Sequence, residues 1–196
     1  MKVLGIVGSP RKGGNTEILV EEALAAAREA GAQTELVSVV GKNIAPCDGC
    51  SACHRAGACH IKDDMQSIYP KLEAADAIIF GSPVYFGSVS AQAKAIIDRT
   101  FKYLEDPKEP RKLRGKVAAP IVVARRVGAG QTRTLLYGYF EGQGMIPVRG
   151  AIGYGRAKGE VKTGPGGGRD MSALEEARIT GREVVEMVER LSKTTG

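Results

Sequence analysis

Short apolar runs alternate with longer amphipathic segments along most of the chain. Continuous apolar runs, which are typical of strands buried on both faces, occur at residues 1–8, 33–40, 77–80, 116–124 and 145–153. Apolar side chains recur at helical spacing in residues 16–30, 64–75, 89–104, 132–143 and 170–191. The alternation predicts an α/β fold, in which five parallel strands form a doubly wound sheet in the order 2-1-3-4-5.

This flavodoxin-like arrangement predicts where a ligand binds and where the chain departs from regular structure. Ligands of such sheets lie outside the carboxyl ends of the strands, so the loops after strands 1, 3 and 4 are candidate binding loops. Residues 41–63 lack periodicity and form a long functional loop after strand 2, within a single domain spanning 1–196. Residues 158–169 are predicted to be a flexible connection, and Pro120 is awkward inside the fourth strand because it cannot donate to a ladder.

Composition narrows the class of protein and its partners. Hydrophobic residues make up 43% and charged residues 26% of the 196, which is ordinary for a globular protein. We find neither a run of about 20 apolar residues nor a signal-peptide pattern, so we expect a cytoplasmic protein with no membrane partner. The net charge is +6, with basic residues scattered apart from 111–116, and Trp is absent. With so few stacking side chains, we expect no nucleic-acid partner.

The loop between strand 1 and the first helix has the composition of an anion cradle. Residues 8–16, Gly-Ser-Pro-Arg-Lys-Gly-Gly-Asn-Thr, offer hydroxyls, a guanidinium and glycines before a helix N-terminus, with Asn15 as the expected N-cap. A nucleoside triphosphate loop would need Lys and Ser/Thr where Gly14 and Asn15 stand, and no G-x-G-x-x-G follows the strand. The pattern therefore predicts a different phosphate site, built from Ser9, Arg11, Gly14, Asn15 and Thr16.

All four cysteines lie in the 41–63 loop, in the pattern C-x2-C-x2-C-x5-C formed by Cys47, Cys50, Cys53 and Cys59. Three interpretations compete. A disulfide pair is unusual in the cytosol, and zinc usually takes two separated C-x2-C pairs. Three closely spaced cysteines with a more distant fourth are typical of cubane iron–sulfur loops, although the Cys-Pro ending of ferredoxins is missing because His60 follows Cys59. We interpret His54 and His60 as loop residues rather than metal ligands.

Two loops and the cysteine spacing resemble one known superfamily. The Ser-Pro-Arg and Gly-Asn-Thr of residues 9–16 resemble the FMN phosphate loop of the NADPH-dependent FMN reductase and iron–sulfur flavoprotein superfamily. Residues 81–88, Gly-Ser-Pro-Val-Tyr-Phe-Gly-Ser, resemble its flavin-ring loop, and residues 125–131 fall where its third flavin loop lies. The cysteine pattern after strand 2 resembles the compact motif of the iron–sulfur flavoproteins. The resemblance covers about residues 1–153 and, loosely, the last helix.

The resemblance implies two cofactors, FMN and one [4Fe–4S] cluster. It implies that Cys47, Cys50, Cys53 and Cys59 are the cluster ligands. The residues it implies for FMN are Ser9, Arg11, Gly14, Asn15, Thr16, Pro83, Val84, Tyr85, Phe86, Gly87 and Gly128. Tyr85 and Phe86 would offer flat apolar surface to the flavin ring.

The implied activity is that of an FMN-dependent oxidoreductase. It would move electrons between a one-electron donor such as ferredoxin and FMN through the cluster, and would reduce a small-molecule acceptor. Because the chemistry would reside on FMN, we expect no catalytic side chain. The first alternative is an NAD(P)H-dependent FMN or quinone reductase whose cysteines bind zinc or no metal. The second is a non-catalytic flavin-binding sensor. The family forms homodimers or homotetramers, so we expect a homo-oligomer.

Overall fold

The computed structural model describes residues 1–167 and 171–194. Gly168 and Arg169 of the predicted connection, and Asp170 at the predicted start of the last helix, lie outside the described residues. The strands are β1 (Lys2–Val7), β2 (Gln33–Ser38), β3 (Ala77–Pro83), β4 (Val117–Ala124), β5 (Ile146–Pro147) and β6 (Ala151–Tyr154). The helices are α1 (Asn15–Glu29), α2 (Ala52–Ala56), α3 (Met65–Ala74), α4 (Ala91–Arg99), α5 (Lys102–Glu105), α6 (Ala129–Gly142) and α7 (Ala173–Thr194), with a 3-10 turn at Glu160–Lys162.

The sheet confirms the predicted flavodoxin-like topology. Its strands follow the order β2-β1-β3-β4-β5, with β6 also beside β4, and every pair is parallel. Alternate side chains of β1 enter two separate cores, as the period of a strand requires. One core is closed by α1 and α7, and the other by α3, α4 and α6. None of the helices in the described part of the chain has the length and apolar character needed to cross a membrane.

The predicted fifth strand is two strands, and Pro120 explains the break. Val148 N–H donates to Ala118 O, and Gly155 N–H donates to Ala124 O. The backbone polar groups of the even-numbered residues of β4 therefore point toward β5 and β6. Pro120 is also even-numbered but has no N–H to donate to this side. The chain opposite it, between β5 and β6, therefore does not pair with β4. Gly150 fits there because a Cβ on it would lie 2.1 Å from Pro120 O. A proline in an interior strand is thereby tolerated.

Other boundaries differ from the sequence prediction for local reasons. The single helix predicted at 89–104 is two helices, α4 and α5. The break is at Thr100, whose Oγ1 donates a hydrogen bond to Ile97 O. The short helix α2 within the cysteine loop was not predicted. Gly14, not Asn15, occupies the N-cap of α1, and Asn15 is the first helical residue, with its side chain bonded elsewhere.

Helices α1 and α7 pack so closely that one glycine decides their separation. A Cβ on Gly181 of α7 would lie 2.0 Å from Ala23 O of α1, whereas a Cβ on Gly138 of α6 would meet no heavy atom within 4 Å. Both glycines lie inside helices, so the intrinsic helix propensity favours alanine equally at the two positions. Only the packing around the two glycines therefore differs between these positions.

We expect the same substitution to act in opposite directions at these two positions. Gly181→Ala should lower the free energy of unfolding by about 1–3 kcal/mol, because the helices must separate. Gly138→Ala should raise it by up to about 1 kcal/mol through helix propensity. Urea unfolding followed by circular dichroism measures both. Equal effects of the two substitutions would contradict the close contact.

Candidate functional site

A cavity of about 390 Å³ lies at the carboxyl edge of the sheet, where the chain leaves β1, β3, β4 and β6. It therefore lies where the parallel topology predicts a ligand site. It is lined by Ser9, Arg11, Gly14, Asn15, Thr16, Pro83, Val84, Tyr85, Val123, Ala124, Arg125, Gly155, Arg156 and Lys158. The structure thus brings together eight of the eleven predicted FMN residues.

The loop after β1 presents hydrogen-bond donors to this cavity. The first intrahelical bond of α1 runs from Ile18 N–H to Gly14 O, so the N–H groups of residues 15–17 have no partner within the helix. The buried hydroxyls of Ser9 and Thr16 line the same wall, and the Arg11 guanidinium lies at its exposed rim. A helix N-terminus, hydroxyls and a guanidinium together suit a phosphate group.

The opposite wall comes from the end of β3. Gly8 N–H donates to Gly81 O at 2.8 Å, and Ser90 Oγ donates to Gly8 O, so the loops after β1 and β3 are joined at their bases. Val84 N–H in turn donates to Val123 O at 2.8 Å, which ties this wall to β4. Pro83, Val84 and Tyr85 therefore hold fixed positions against the cavity.

Three predicted residues lie near the cavity without lining it. Phe86 has a positive φ of 50° and a fully exposed ring, so its side chain points into solvent. Gly87 and Gly128 support the wall from behind. A Cβ on Gly128, which has φ of 89°, would lie 2.9 Å from Val84 Cγ1 and 3.3 Å from Gly87 Cα. The two loops can meet only because that side chain is absent.

Sequence reasoning missed the remaining side of the cavity, which is formed by residues that follow β6 and β4. Gly155, Arg156 and Lys158 follow β6, and Arg125 follows β4. Arg125 belongs to the segment that resembles a third flavin loop. Lys158, in contrast, falls in residues 158–169, for which the sequence predicts only a flexible connection. Basic residues placed directly after the last strand were the available signal, because that strand ends at the ligand-binding edge.

The four cysteines line a second, small cavity of about 60 Å³ between the 41–63 loop and α4 and α5. All four are free thiols, and the rest of the lining is Asp48, Gly49, Ser51 and Ala52 from the same loop and Asp98, Arg99, Phe101 and Lys102 from α4 and α5. Burial raises the pKa of the Cys53 thiol. Four sulfur ligands on one cavity suit a soft site, either an iron–sulfur cluster or zinc. No residue that lines this cavity lines the first one.

A hydrogen-bonded pair, Asp48 and His60, braces the same loop. His60 Nε2 lies 2.7 Å from Asp48 Oδ2, and Cys50 N–H donates to Asp48 Oδ1 at 3.2 Å. Hydrogen bonds from Cys50, followed by that from His60, lower the pKa of Asp48. The ligand atoms of Asp48, Cys50 and His60 lie within 4.8 Å of one another. Since Asp48 and His60 already bond each other, we interpret them as a brace for the loop.

A buried ion pair fixes both ends of the loop. Arg99 Nη1 donates to Asp63 Oδ2 at 2.7 Å and to Ala45 O at 2.9 Å, and Nη2 donates to Asp63 Oδ1 at 3.1 Å and to Ile61 O at 3.3 Å. The two side chains are 0% and 4% exposed. Burial opposes ionisation of Asp63, but hydrogen bonds from Arg99 and from backbone amides outweigh it and hold the pKa of Asp63 below its usual value.

Comparison with known proteins gives a consistent result. A family model described as NADPH-dependent FMN reductase matches residues 1–158. An iron-sulfur flavoprotein of Methanocaldococcus jannaschii is 40% identical over 203 residues, covering 98% of this chain and 100% of that protein. An iron-sulfur flavoprotein of Methanosarcina thermophila is 40% identical over 150 residues, covering 76% of this chain and 77% of that protein. The solved structure of RosB with bound 8-demethyl-8-formylriboflavin-5'-phosphate shares the fold, with a TM-score of 0.76 at 19% identity over 99% of this chain and 81% of that one.

We expect Asp63→Asn to destabilise the protein by about 3–5 kcal/mol at pH 7, because it leaves the Arg99 charge buried without its partner. The native pKa of Asp63 is lowered, so its stabilisation is complete above the unfolded value of about 3.9 and is lost as the pH falls through the native value. The difference between parent and variant should therefore shrink in acid. Urea unfolding at pH 7 and at pH values below 4 measures it.

Asp98→Asn is the matched control, because Asp98 pairs with Lys94 on the same helix but at an exposed position. It should change stability by about 0.5 kcal/mol or less. A loss for Asp63→Asn as small as that of the control would contradict the role of the buried pair.

Proposed function

The chain belongs to the NADPH-dependent FMN reductase family and, within it, to the iron-sulfur flavoproteins; it is an FMN-dependent oxidoreductase, and we propose that it exchanges electrons with a one-electron carrier such as a ferredoxin by way of a [4Fe–4S] cluster, for the reduction of a small acceptor. One observation carries the proposal. A single chain has both a cavity at the sheet edge, beside a helix N-terminus, and a separate cavity lined by four cysteines. An FMN reductase without a cluster would need only the first.

The residues of the first cavity suit FMN. We propose that Ser9, Arg11, Thr16 and the free amides of α1 hold its phosphate, and that Pro83, Val84 and Tyr85 face the ring. In this arrangement the exposed Phe86 contacts neither the phosphate nor the ring of FMN. Gly87 and Gly128 act by letting the loops after β3 and β4 meet. Bound FMN supplies one- and two-electron chemistry, so the protein's part is to position it and to control access.

The four cysteines suit a cluster more than a structural zinc ion. Their spacing is compact, the chain between Cys50 and Cys59 includes a short helix, and all four residues line one cavity. We propose that Cys47, Cys50, Cys53 and Cys59 each provide one ligand.

The charge of the protein supports an acidic protein donor. The chain has a net charge of +6, which two anionic cofactors of about −2 each would reduce to roughly +2. A basic surface accelerates encounter with an acidic carrier, as ferredoxins are. NAD(P)H is the alternative donor, since the family model is named for NADPH-dependent members.

We also propose that the protein is a homodimer or homotetramer. Phe86 is fully exposed and Val127 is 82% exposed, and both lie on loops beside the first cavity. Large apolar side chains exposed together on a surface favour association between copies.

The phosphate assignment predicts that Arg11→Ala weakens FMN binding by about tenfold or more, because a charge-assisted hydrogen bond is lost. Lys12→Ala is the control, because Lys12 is a neighbouring exposed cation that does not line the cavity. Titration of apoprotein followed by flavin fluorescence measures both affinities. If the two variants bind FMN equally well, the phosphate lies elsewhere.

The cluster assignment predicts that Cys50→Ser loses iron and sulfide but keeps FMN, because the two cavities share no lining residue. Flavin reduction driven by reduced ferredoxin should fall steeply, while reduction by dithionite should persist. Ala52→Ser, which adds the same hydroxyl to the loop and removes no thiol, should retain iron. The measurements are iron, sulfide and flavin content after anaerobic purification, and anaerobic reduction rates.

Three results would contradict the proposal in different places. Zinc in the parent in place of iron would favour the alternative of an NAD(P)H-dependent reductase. Equal ferredoxin-driven rates in the parent and in Cys50→Ser would mean that the cluster is not the entry point for electrons. A parent that binds both cofactors but is reduced by no donor would favour the sensor.

A further inference from the structure

Both ends of the Asn15 amide bond to a distant segment of the chain. Its Nδ2 donates to Ala157 O at 2.8 Å, and its Oδ1 accepts from Gly159 N–H at 2.7 Å. Gly155 lies so close that a Cβ on it would be 2.7 Å from Asn15 Nδ2. Asn15 thus uses one bond at each end of its amide to hold residues 155–159 against the loop after β1.

The held segment is itself rigid. The carboxylate of Glu160 accepts hydrogen bonds from the backbone N–H groups of Ala157, at 2.7 Å, and Arg156. These two bonds, that from Ala157 first, lower the pKa of Glu160 and keep it an acceptor. The 3-10 turn continues directly from this point, with Lys162 N–H donating to Gly159 O. We call residues 155–160 the third wall.

The third wall brings a lysine over the phosphate loop. A Cβ on Gly13 would lie 3.1 Å from Lys158 Nζ and 3.2 Å from Lys158 Cε, so the ammonium group reaches across to the loop itself. Among the described residues, no carboxylate forms an ion pair with it. The cavity lining holds four cations, Arg11, Arg125, Arg156 and Lys158, and no acidic side chain.

We propose that Lys158 is a phosphate-binding residue of the FMN site, and that Asn15 is a positioning residue that acts through the third wall and does not contact the phosphate. This rests on the proposed binding of FMN in the first cavity. A phosphate monoester carries about −1.5 to −2 charges near neutral pH, which Arg11 alone would not balance. Of the other three cations in the lining, Lys158 is the one whose ammonium group lies against the loop after β1, beside Gly13.

The test compares FMN with riboflavin, which lacks the phosphate. Lys158→Met keeps the length of the side chain and removes the charge, so FMN affinity should fall about tenfold or more while riboflavin affinity stays unchanged. Lys162→Met is the matched control, because Lys162 is an exposed lysine on the adjoining turn that does not line the cavity. It should leave both affinities unchanged.

A double-mutant cycle tests the positioning role of Asn15. Asn15→Ala should also weaken FMN binding and spare riboflavin, and the Asn15→Ala, Lys158→Met double variant should bind FMN about as weakly as Lys158→Met alone. Fold losses that multiply in the double variant would mean that Asn15 contacts the phosphate independently, and would overturn its positioning role.

The outcomes separate this inference from the proposed function. A parent that fails to bind FMN would overturn the proposed function. A parent that binds FMN well, together with a Lys158→Met variant of equal affinity, would overturn only the role of Lys158. Equal losses of FMN and riboflavin in Lys158→Met would show a general disturbance of the cavity and would overturn it as well.

Discussion

The ion pair between Arg99 and Asp63 is the interaction on which the cysteine loop depends. Residues 41–63 contain little regular structure and bury few side chains, so their own packing cannot fix the positions of four sulfur atoms. One guanidinium, anchored on α4, instead bonds to the chain before the first cysteine and after the last. The cost of burying two charges is offset by six hydrogen bonds to the carboxylate and to the two terminal nitrogens of the guanidinium, although Arg99 Nε is buried without a partner among the described residues. A loop that is irregular along its length is therefore fixed at both ends.

The parallel sheet determines the rest of the arrangement. Because all its strands point one way, every loop that leaves a carboxyl end reaches the same edge. Four such exits build the first cavity, and the exit of β2 carries the cysteines away toward α4 and α5. The two sites are therefore attached to one scaffold without sharing a side chain, so that each can change in evolution with little effect on the other.

The sequence predicts the fold well because the continuous apolar runs of β1, β3 and β4 have few alternatives to a central parallel sheet. The resemblance drawn from the phosphate loop and the cysteine spacing is confirmed by the family to which the chain belongs. What could not be predicted depends on contacts between distant residues. The break at Pro120 requires Gly150, and the third wall requires Asn15 to meet residues more than 140 positions away. The ring of Phe86 points outward because the residue has a positive φ, which is uncommon for residues other than glycine and so could not be predicted from the sequence.

The bond between Asn15 and the third wall also has a consequence for the order of assembly during synthesis. A ribosome-bound chain that has emerged only through β4 exposes the loop after β1 and the end of β3, but residues 155–160 are not yet free to pack against them. Until they arrive, the helix N-terminus faces solvent on one side and the cavity has no third wall. Enclosure of the cavity is thus postponed until the segment after β6 has emerged, when all the strands of the sheet are available. An enclosed cavity is therefore a property of the nearly finished chain and not of its earlier intermediates.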